Sequence, residues 1–335
     1  AVEPAKALET FQVKKGFRLE LVAAEPLVAS PVTMAFDENS RLYVVEMIDY
    51  SERRDETPHL GRIRLLEDTD GDGKFDKSTI FADGLSWPTG VACWKGGVFV
   101  AATPDIWYLK DTDGDGKADV RIKVFTGFKK LNVQAVMNNL VWGLDNHIHS
   151  AGGSNGGQIR PGDKPDAKPL VLSRNDFRLD PNSFQLEPLS GGARFGGSFD
   201  DWGNRFLCNI RNPAQHIVLP ARYLARNPFL AARSPLNDMA EAGDQLPVYA
   251  ISQPEPWRVL RAKRCNGVAV RGEQGRLLSV SRSGSAFSAK ISPAAVFVSG
   301  TSAVGISQRP SVVRNKSSAN FGNCPVPYMA WSFTM

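Results

Sequence analysis

The sequence predicts an all-β fold, a β-propeller, and three observations carry that prediction. A strand–turn–strand unit occurs four times along the chain. A nearly identical acidic loop occurs twice, 43 residues apart. The composition, 30 glycines and 22 prolines in 335 residues, belongs to a chain rich in turns. Short strands repeating with a period of ~40–50 residues are the signature of radially arranged blades.

The strand–turn–strand units set the frame. The first spans residues 34–45, around the turn Asp37-Glu38-Asn39-Ser40, and the second residues 91–100, around Lys95-Gly96. The third spans 141–149 and the fourth 197–208, each with an Asp, Gly or Asn turn. Each is an apolar strand, a tight turn and a second strand. The residues just after the turns, Leu42, Val98, Ile148 and Phe206, lie 56, 50 and 58 residues apart.

The acidic loops interleave with these units. One reads Asp68-Thr69-Asp70-Gly71-Asp72-Gly73-Lys74-Phe75-Asp76, the other Asp111-Thr112-Asp113-Gly114-Asp115-Gly116-Lys117-Ala118-Asp119. Carboxylates at positions 1, 3, 5 and 9, a glycine at 6 and a main-chain position at 7, Lys74 or Lys117, follow calcium-loop spacing. Position 12, Thr79 or Ile122, lacks the glutamate of an EF-hand. The flanks are β-branched and aromatic, so each loop is expected to join two antiparallel strands. Plain Asp-Gly hairpin turns are the alternative, set against the mutual repulsion of four acids in nine residues.

Together the two patterns place blade one at residues 32–82, blade two at 89–127 and blade three at 140–190. Blade four begins at 196, leaves on an excursion over 211–247 and resumes at 248–251. The hairpin supplies strands A and B, and the acidic loop joins C to D. The A–B turns and C–D loops then share one face, and the D–A and B–C connections the other. The acidic loops are therefore expected to be structural and to lie away from the ligand face. Residues 20–24 read as a strand completing a last blade.

Residues 1–16 form an N-terminal segment and 17–261 the propeller. Residues 262–335 differ sharply. Residues 261–335 hold ten Lys and Arg and one acid, Glu273, while the first 260 residues carry 30 basic and 34 acidic side chains. This basic tail reads as disordered, as a weakly folded segment, or as out-of-frame sequence after a frameshift or truncation. The abruptness of the break favours the last. Its spread charges lack interleaved aromatics, so nucleic-acid binding is not expected. No apolar run approaches the ~18 residues of a membrane span. The chain begins at Ala1, which suggests a removed leader. Cys93, Cys208, Cys265 and Cys324 show no CxxC spacing and are expected as free thiols.

The ligand face would present Tyr50, Arg53, Trp87, Thr89, Gln134, Asn138, Asn155, Arg194, Arg211, Asn212 and His216. His216 is the candidate general base. Arg194 and Arg211 could hold an anionic cofactor or a sugar acid, and Trp87 could stack on a ring. Structural or solvated roles are the alternative for each. His147 and His149 flank Ile148 on the turn side and read as strand residues. No Ser-His-Asp order, phosphate loop or dinucleotide fingerprint supports acyl, phosphoryl or nicotinamide chemistry.

Several stretches carry a resemblance. They are residues 17–28, 41–47, 65–73, 142–146, 199–206 and 254–258, the last reading Pro-Glu-Pro-Trp-Arg. In this order they resemble the planctomycete-type membrane-bound dehydrogenase N-terminal domain, over about residues 8–260. That family is similar to the soluble quinoprotein glucose and sorbosone dehydrogenases. The resemblance implies a six-bladed propeller, of which about four blades are recognisable here. It also implies calcium and pyrroloquinoline quinone as cofactors, and a sugar or alcohol substrate. Export to the periplasm or cell surface and a cytochrome c domain in longer relatives are implied too. This sequence has no Cys-x-x-Cys-His.

The resemblance places a His base within residues 132–139, which contain none; Ala135 stands about there. It places an Arg-Asn pair before blade four, where Arg194 is present without the Asn. On the loops assigned to that face, Trp87, Gln134, Asn138, Arg194, Arg211 and Asn212 would bind the cofactor, with His216 and Arg194 catalytic. Two functions follow: a quinoprotein-like dehydrogenase module, active or inactive, or a calcium-stabilised propeller binding carbohydrate or protein without catalysis.

Overall fold

A computed structural model describes residues 4–48, 50, 59–210, 212–227, 229 and 234–244, and the strand 294–297. Blade one is an antiparallel meander of β1's successors in the chain. β1 itself is Glu20–Ala24, and the meander is β2 (Pro31–Phe36), β3 (Leu42–Glu46), β4 (Gly61–Glu67) and β5 (Lys77–Leu85). Its A–B turn closes because Asp37 Oδ1 accepts the main-chain N–H groups of Asn39 and Arg41, both at 2.9 Å. That self-bonding of an Asp is what makes it a turn former. The acidic loop joins β4 to β5, as expected.

Blade two repeats the pattern with β6 (Pro88–Trp94), β7 (Gly97–Ala102), β8 (Asp105–Lys110) and β9 (Val120–Phe128). Its A–B connection is two residues, Lys95 and Gly96, both at positive φ, the backbone that suits a tight hairpin. Blade three is β10 (Asn138–Trp142), β11 (Ile148–Ala151), and then β14 (Asp176–Asp180) and β15 (Gln185–Leu189). Between β11 and β14 the chain makes β12 (Gly157–Pro161) and β13 (Leu170–Leu172). These do not join blade three. β12 pairs with β9, so blade two becomes a six-stranded sheet. Blade three is therefore not the contiguous stretch 140–190 read from sequence; its own alternation continues through the hairpin and hides the change of sheet.

Blade four also differs from expectation. Its strands are β16 (Gly197–Phe199), β17 (Arg205–Leu207), β18 (Gln215–Ile217) and β19 (Leu236–Asp238). The third and fourth strands lie inside the supposed excursion over 211–247, and residues 248–251 lie outside the described residues. Strands of three residues carry too little alternation to be read from sequence.

Successive sheets pack face to face. Tyr43, Val45, Ile63, Leu65 and Phe81 of blade one meet Val91, Val98, Val100 and Leu109 of blade two. Phe99, Ile106 and Phe125 of blade two meet Met137, Leu140, Ile148, Phe177 and Leu179 around blade three. Ala151, Ala193 and Leu207 join blades three and four. β3 and β7 are buried at every position. Their continuous apolar runs are what a strand covered on both faces needs. Four consecutive up-and-down sheets stacked in chain order are β-propeller blades.

Before blade one, Ala23 and Val28 pack on Leu42, Val44 and Leu66. β1 pairs antiparallel with β20 (Ala294–Phe297), Glu20 opposite Phe297. The one described strand of the tail thus pairs with β1 in a separate two-stranded sheet. The other tail residues lie outside the described ones, and so do Cys265 and Cys324. Cys93 and Cys208 are free and half-buried; burial pushes the Cys93 thiol up to about 12.

Candidate functional site

The acidic loops fold as the spacing demands. In the first, Asp68 accepts the N–H groups of Gly71 (2.7 Å) and Gly73 (2.9 Å), Asp70 that of Asp72 and Asp72 that of Lys74. The second repeats each bond, with Asp111 on Gly114 and Gly116, Asp113 on Asp115, and Asp115 on Lys117. Gly71, Gly73, Gly114 and Gly116 all have positive φ, which glycine adopts without strain. Oxygens of Asp68, Asp70 and Asp72 lie within 4.8 Å of one another, as do those of Asp111, Asp113 and Asp115. Hard oxygen donors in such a cluster suit calcium.

The fourth acid of each loop stands apart. Asp76 accepts Thr69 N–H (3.1 Å) and hydroxyl (2.7 Å), and Asp119 does the same for Thr112. The Lys74 and Lys117 ammonium groups lean on Asp72 and Asp115. The Gly73 N–H holds the Asp68 carboxyl below its usual range. Burial pushes Asp111 up, but the N–H groups of Gly114 and Gly116 outweigh it, and the net shift is down. The second loop also docks on its neighbour: Ala118 N–H donates to Phe81 O on β5 at 2.8 Å.

The opposite face collects the connections between blades. The segment before β6 carries Trp87, at positive φ and buried with Met47 and Val136. The Lys130 ammonium lies 4.8 Å from the Trp87 ring centre. The segment between β9 and β10 makes a short turn capped by Asn132, whose side chain accepts Gln134 N–H. Gln134 Nε2 donates to the Tyr50 hydroxyl at 3.2 Å. Thr89 Oγ1 donates to Met137 O at 2.5 Å. Asn155 Nδ2 ties the same turn through Asn132 O at 3.0 Å.

Arg194 stands on the segment between β15 and β16. Its Nε donates to Gln134 O at 3.1 Å, and its carbonyl accepts Asn138 Nδ2 at 2.9 Å. Its N–H donates to Asn209 Oδ1 at 3.1 Å, and Asn209 N–H donates to Asn212 O at 2.8 Å. Tyr50, Gln134, Asn138, Arg194, Asn209 and Asn212 therefore form one chain of bonds from blade one to blade four. Burial lowers the Arg194 pKa, and among the described residues no carboxylate pairs with it. The Asn212 side chain is buried with Oδ1 unpartnered.

One anchor fixes this segment. Asp176 is fully buried, and its Oδ1 accepts the N–H groups of Gly152 (3.1 Å) and Ala193 (2.9 Å). Its Oδ2 accepts Arg205 Nη2 at 2.7 Å. A side chain on Gly191 would collide with Asp176. The sequence reading missed Asp176; its only signal was an acid at the start of the alternating strand Asp176–Asp180.

His216 does not belong to this cluster. It is the middle residue of β18, opposite Phe206 and Asn237, with its ring stacked on Phe206 at 4.9 Å. Sequence had placed it in a long loop, and the loop is a strand. Arg211 and Arg53 lie outside the described residues.

A search of curated proteins finds no match. Among solved structures, the calcium structure of the Trichoderma reesei carbohydrate-active enzyme family AA12 is similar at 14% identity and a TM-score of 0.39. It covers 62% of this chain and 50% of that one. The holo pyranose dehydrogenase PQQ domain from Coprinopsis cinerea gives 14% and 0.39, covering 62% and 47%. The PQQ-bound aldose sugar dehydrogenase from Streptomyces coelicolor gives 17% and 0.38, covering 61% and 63%. The chain spans about half the length of the first two. One family model matches residues 3–291. On that match the chain belongs to the family described as "Domain of unknown function (DUF7133)".

Proposed function

We propose that this chain is the ligand-binding propeller of a quinoprotein-type sugar or alcohol dehydrogenase. The carrying observation is Arg194, a half-buried cation that no carboxylate among the described residues pairs, set among amide groups. Keeping a desolvated charge unpaired is costly, and an anionic ligand would relieve that cost. The guanidinium spends Nε on Gln134 O and keeps its remaining N–H groups for a carboxylate fork. Pyrroloquinoline quinone, a flat ring bearing carboxylates, fits that donor set. Arg194 would take a carboxylate and Trp87 with Lys130 would wall the ring. Gln134, Asn138 and Asn209 would keep Arg194 in place. When bound, the quinone would supply two-electron acceptor chemistry towards an alcohol carbon.

The finer reading extends to the whole protein. It is an exported module of a planctomycete-type membrane-bound dehydrogenase, acting at the periplasm or cell surface beside a cytochrome c domain. The two acidic loops hold calcium as structural ions on the opposite face.

A second reading has its own observation. Ala135, where the resemblance puts the base, is buried, and His216 is committed to β18. The cluster of Tyr50, Trp87, Gln134, Asn138, Arg194 and Asn212 contains neither carboxylate nor imidazole. A propeller that binds a sugar acid without oxidising it satisfies the same geometry.

One experiment separates the two. The full chain is titrated with pyrroloquinoline quinone and with gluconate in calcium buffer, as wild type and as Arg194→Gln. Dye-linked oxidation of sugars and alcohols is then measured. Quinone binding that Arg194→Gln weakens at least tenfold, with dye reduction, supports the dehydrogenase. Arg194-dependent binding without dye reduction supports the binding module. Binding that ignores Arg194→Gln refutes both.

A further inference from the structure

The contact between blades three and four contains a titratable group that the proposed ligand face does not use. His149, in the middle of β11, is 7% exposed. It faces Val141 of β10 and Arg178 of β14 across the sheet. Its Nε2 lies 3.0 and 3.1 Å from the two oxygens of Asp145, in the β10–β11 turn. An oxygen pair of that kind calls for a donor, so the neutral ring carries its hydrogen on Nε2. Nδ1 is then a bare acceptor, and it is buried with no partner.

The ring's other side meets the next blade. Phe199 of β16 lies edge to face at 4.9 Å. Among the described residues the charged groups facing His149 are Asp145, Arg178 and Arg205. Asp145 also takes Arg178 Nη1 at 2.6 Å, and Arg178 in turn binds Glu187. Arg205 of β17, paired to Asp176, raises the local positive potential, as Arg178 does. His147 leans on Asp145 from the exposed side, at 3.9 Å.

We propose that His149 is an acid-sensitive latch between blades three and four, released when a proton is taken up at Nδ1. The new N–H would point into a buried wedge that offers no acceptor. A buried donor without an acceptor is costly. The charge would also arrive beside two guanidinium groups already in place. The resulting loss falls on the β11–β16 contact, where the ring is held by packing alone. The Asp145 side of the ring keeps its hydrogen bond in both states. Acidification therefore opens the seam rather than unfolding the blade.

The sign follows from burial, which lowers the His149 pKa below its ordinary value of 6.5. The contact is intact above the unfolded-state value and weakens as pH falls through it. Each unit of depression makes opening tenfold easier at full protonation.

Hydrogen exchange of the full chain at pH 7.5 and 5.5, corrected for intrinsic rates, tests this. Peptides over residues 148–151 and 197–207 should lose protection several-fold more than peptides over β3 and β7. His149→Gln retains an N–H for Asp145 and cannot titrate, so it should abolish the difference; His147→Gln should keep it. A uniform loss across all blades overturns the proposal, and so does a His149→Gln protein that retains the wild-type difference. Should His149→Gln not fold, the ring C–H shifts of wild type and His147→Gln report the His149 titration directly. A midpoint at or above 6.5 would overturn the latch.

Discussion

Replacing Asp176 by alanine tests the anchor beneath the ligand face. The substitution removes acceptors for Gly152 N–H, Ala193 N–H and Arg205 Nη2. Arg205 is 9% exposed and keeps, among the described residues, the Ser190 carbonyl at 3.2 Å. Removing one partner of a buried pair costs about 3–5 kcal/mol, because the other charge stays buried. At roughly 2–4 °C per kcal/mol for a chain of this size, the midpoint should fall by about 6–20 °C. Asp176→Asn keeps an oxygen for the two main-chain donors but loses the charge opposite Arg205, so it should fall between. Adding Arg205→Met to Asp176→Ala removes the stranded cation and should recover part of the loss. Thermal unfolding of the four proteins, followed by circular dichroism, provides the measurement. The same loss frees the Gly191-Gly192-Ala193 segment, so Arg194-dependent binding should weaken too. An Asp176→Ala midpoint within about 2 °C of wild type refutes the reasoning, and so does a double variant no more stable than the single.

Three further outcomes follow from other parts of the molecule. Chelation of calcium should lower the melting temperature, and Asp70→Ala with Asp113→Ala should abolish the response; curves unchanged by excess chelator would remove calcium from the account. Gly61→Ala should destabilise by several kcal/mol, since the added carbon would collide with Leu85 O and the Pro88 ring; a normal melting curve would contradict the tight β4–β5 approach. Asp145 is pushed up by burial but pulled further down by His149 and Arg178, to about 2. Its contribution is therefore present above the unfolded value near 3.8 and lost as pH falls towards 2. Arg178→Met should raise that midpoint in a carboxylate NMR titration, and an unmoved midpoint would mean Arg178 does not hold it.

The inner strands were legible because burial on both faces leaves a continuous apolar run, as in Leu42-Tyr43-Val44-Val45 and Gly97–Ala102. The turns were legible because Asp37, Asp145 and Asp200 bond their own main chain. Both acidic loops were read correctly down to their glycines. What escaped was long-range. Nothing in residues 157–172 says which sheet their hairpin joins, since alternation specifies a covered face and not a partner. Blade four was misread because three-residue strands leave no periodicity, and with it His216 was assigned to a loop rather than to the strand β18. On the ligand face Arg194, Gln134 and Asn138 do converge. The bonds that bring them together are mostly to main-chain oxygens, which any sequence would supply.

The hairpin β12–β13 imposes an order on synthesis. Blade two cannot finish its sheet until residue 172 has left the ribosome, by which point half of blade three has already emerged. A nascent chain halted after β9 would expose a nine-residue strand edge awaiting its cover, a template for unwanted pairing. Blades two and three are in effect laced together. A protease cut between β9 and β10 would leave that lacing in place through the β9–β12 pairing, whereas removal of the hairpin would undo it.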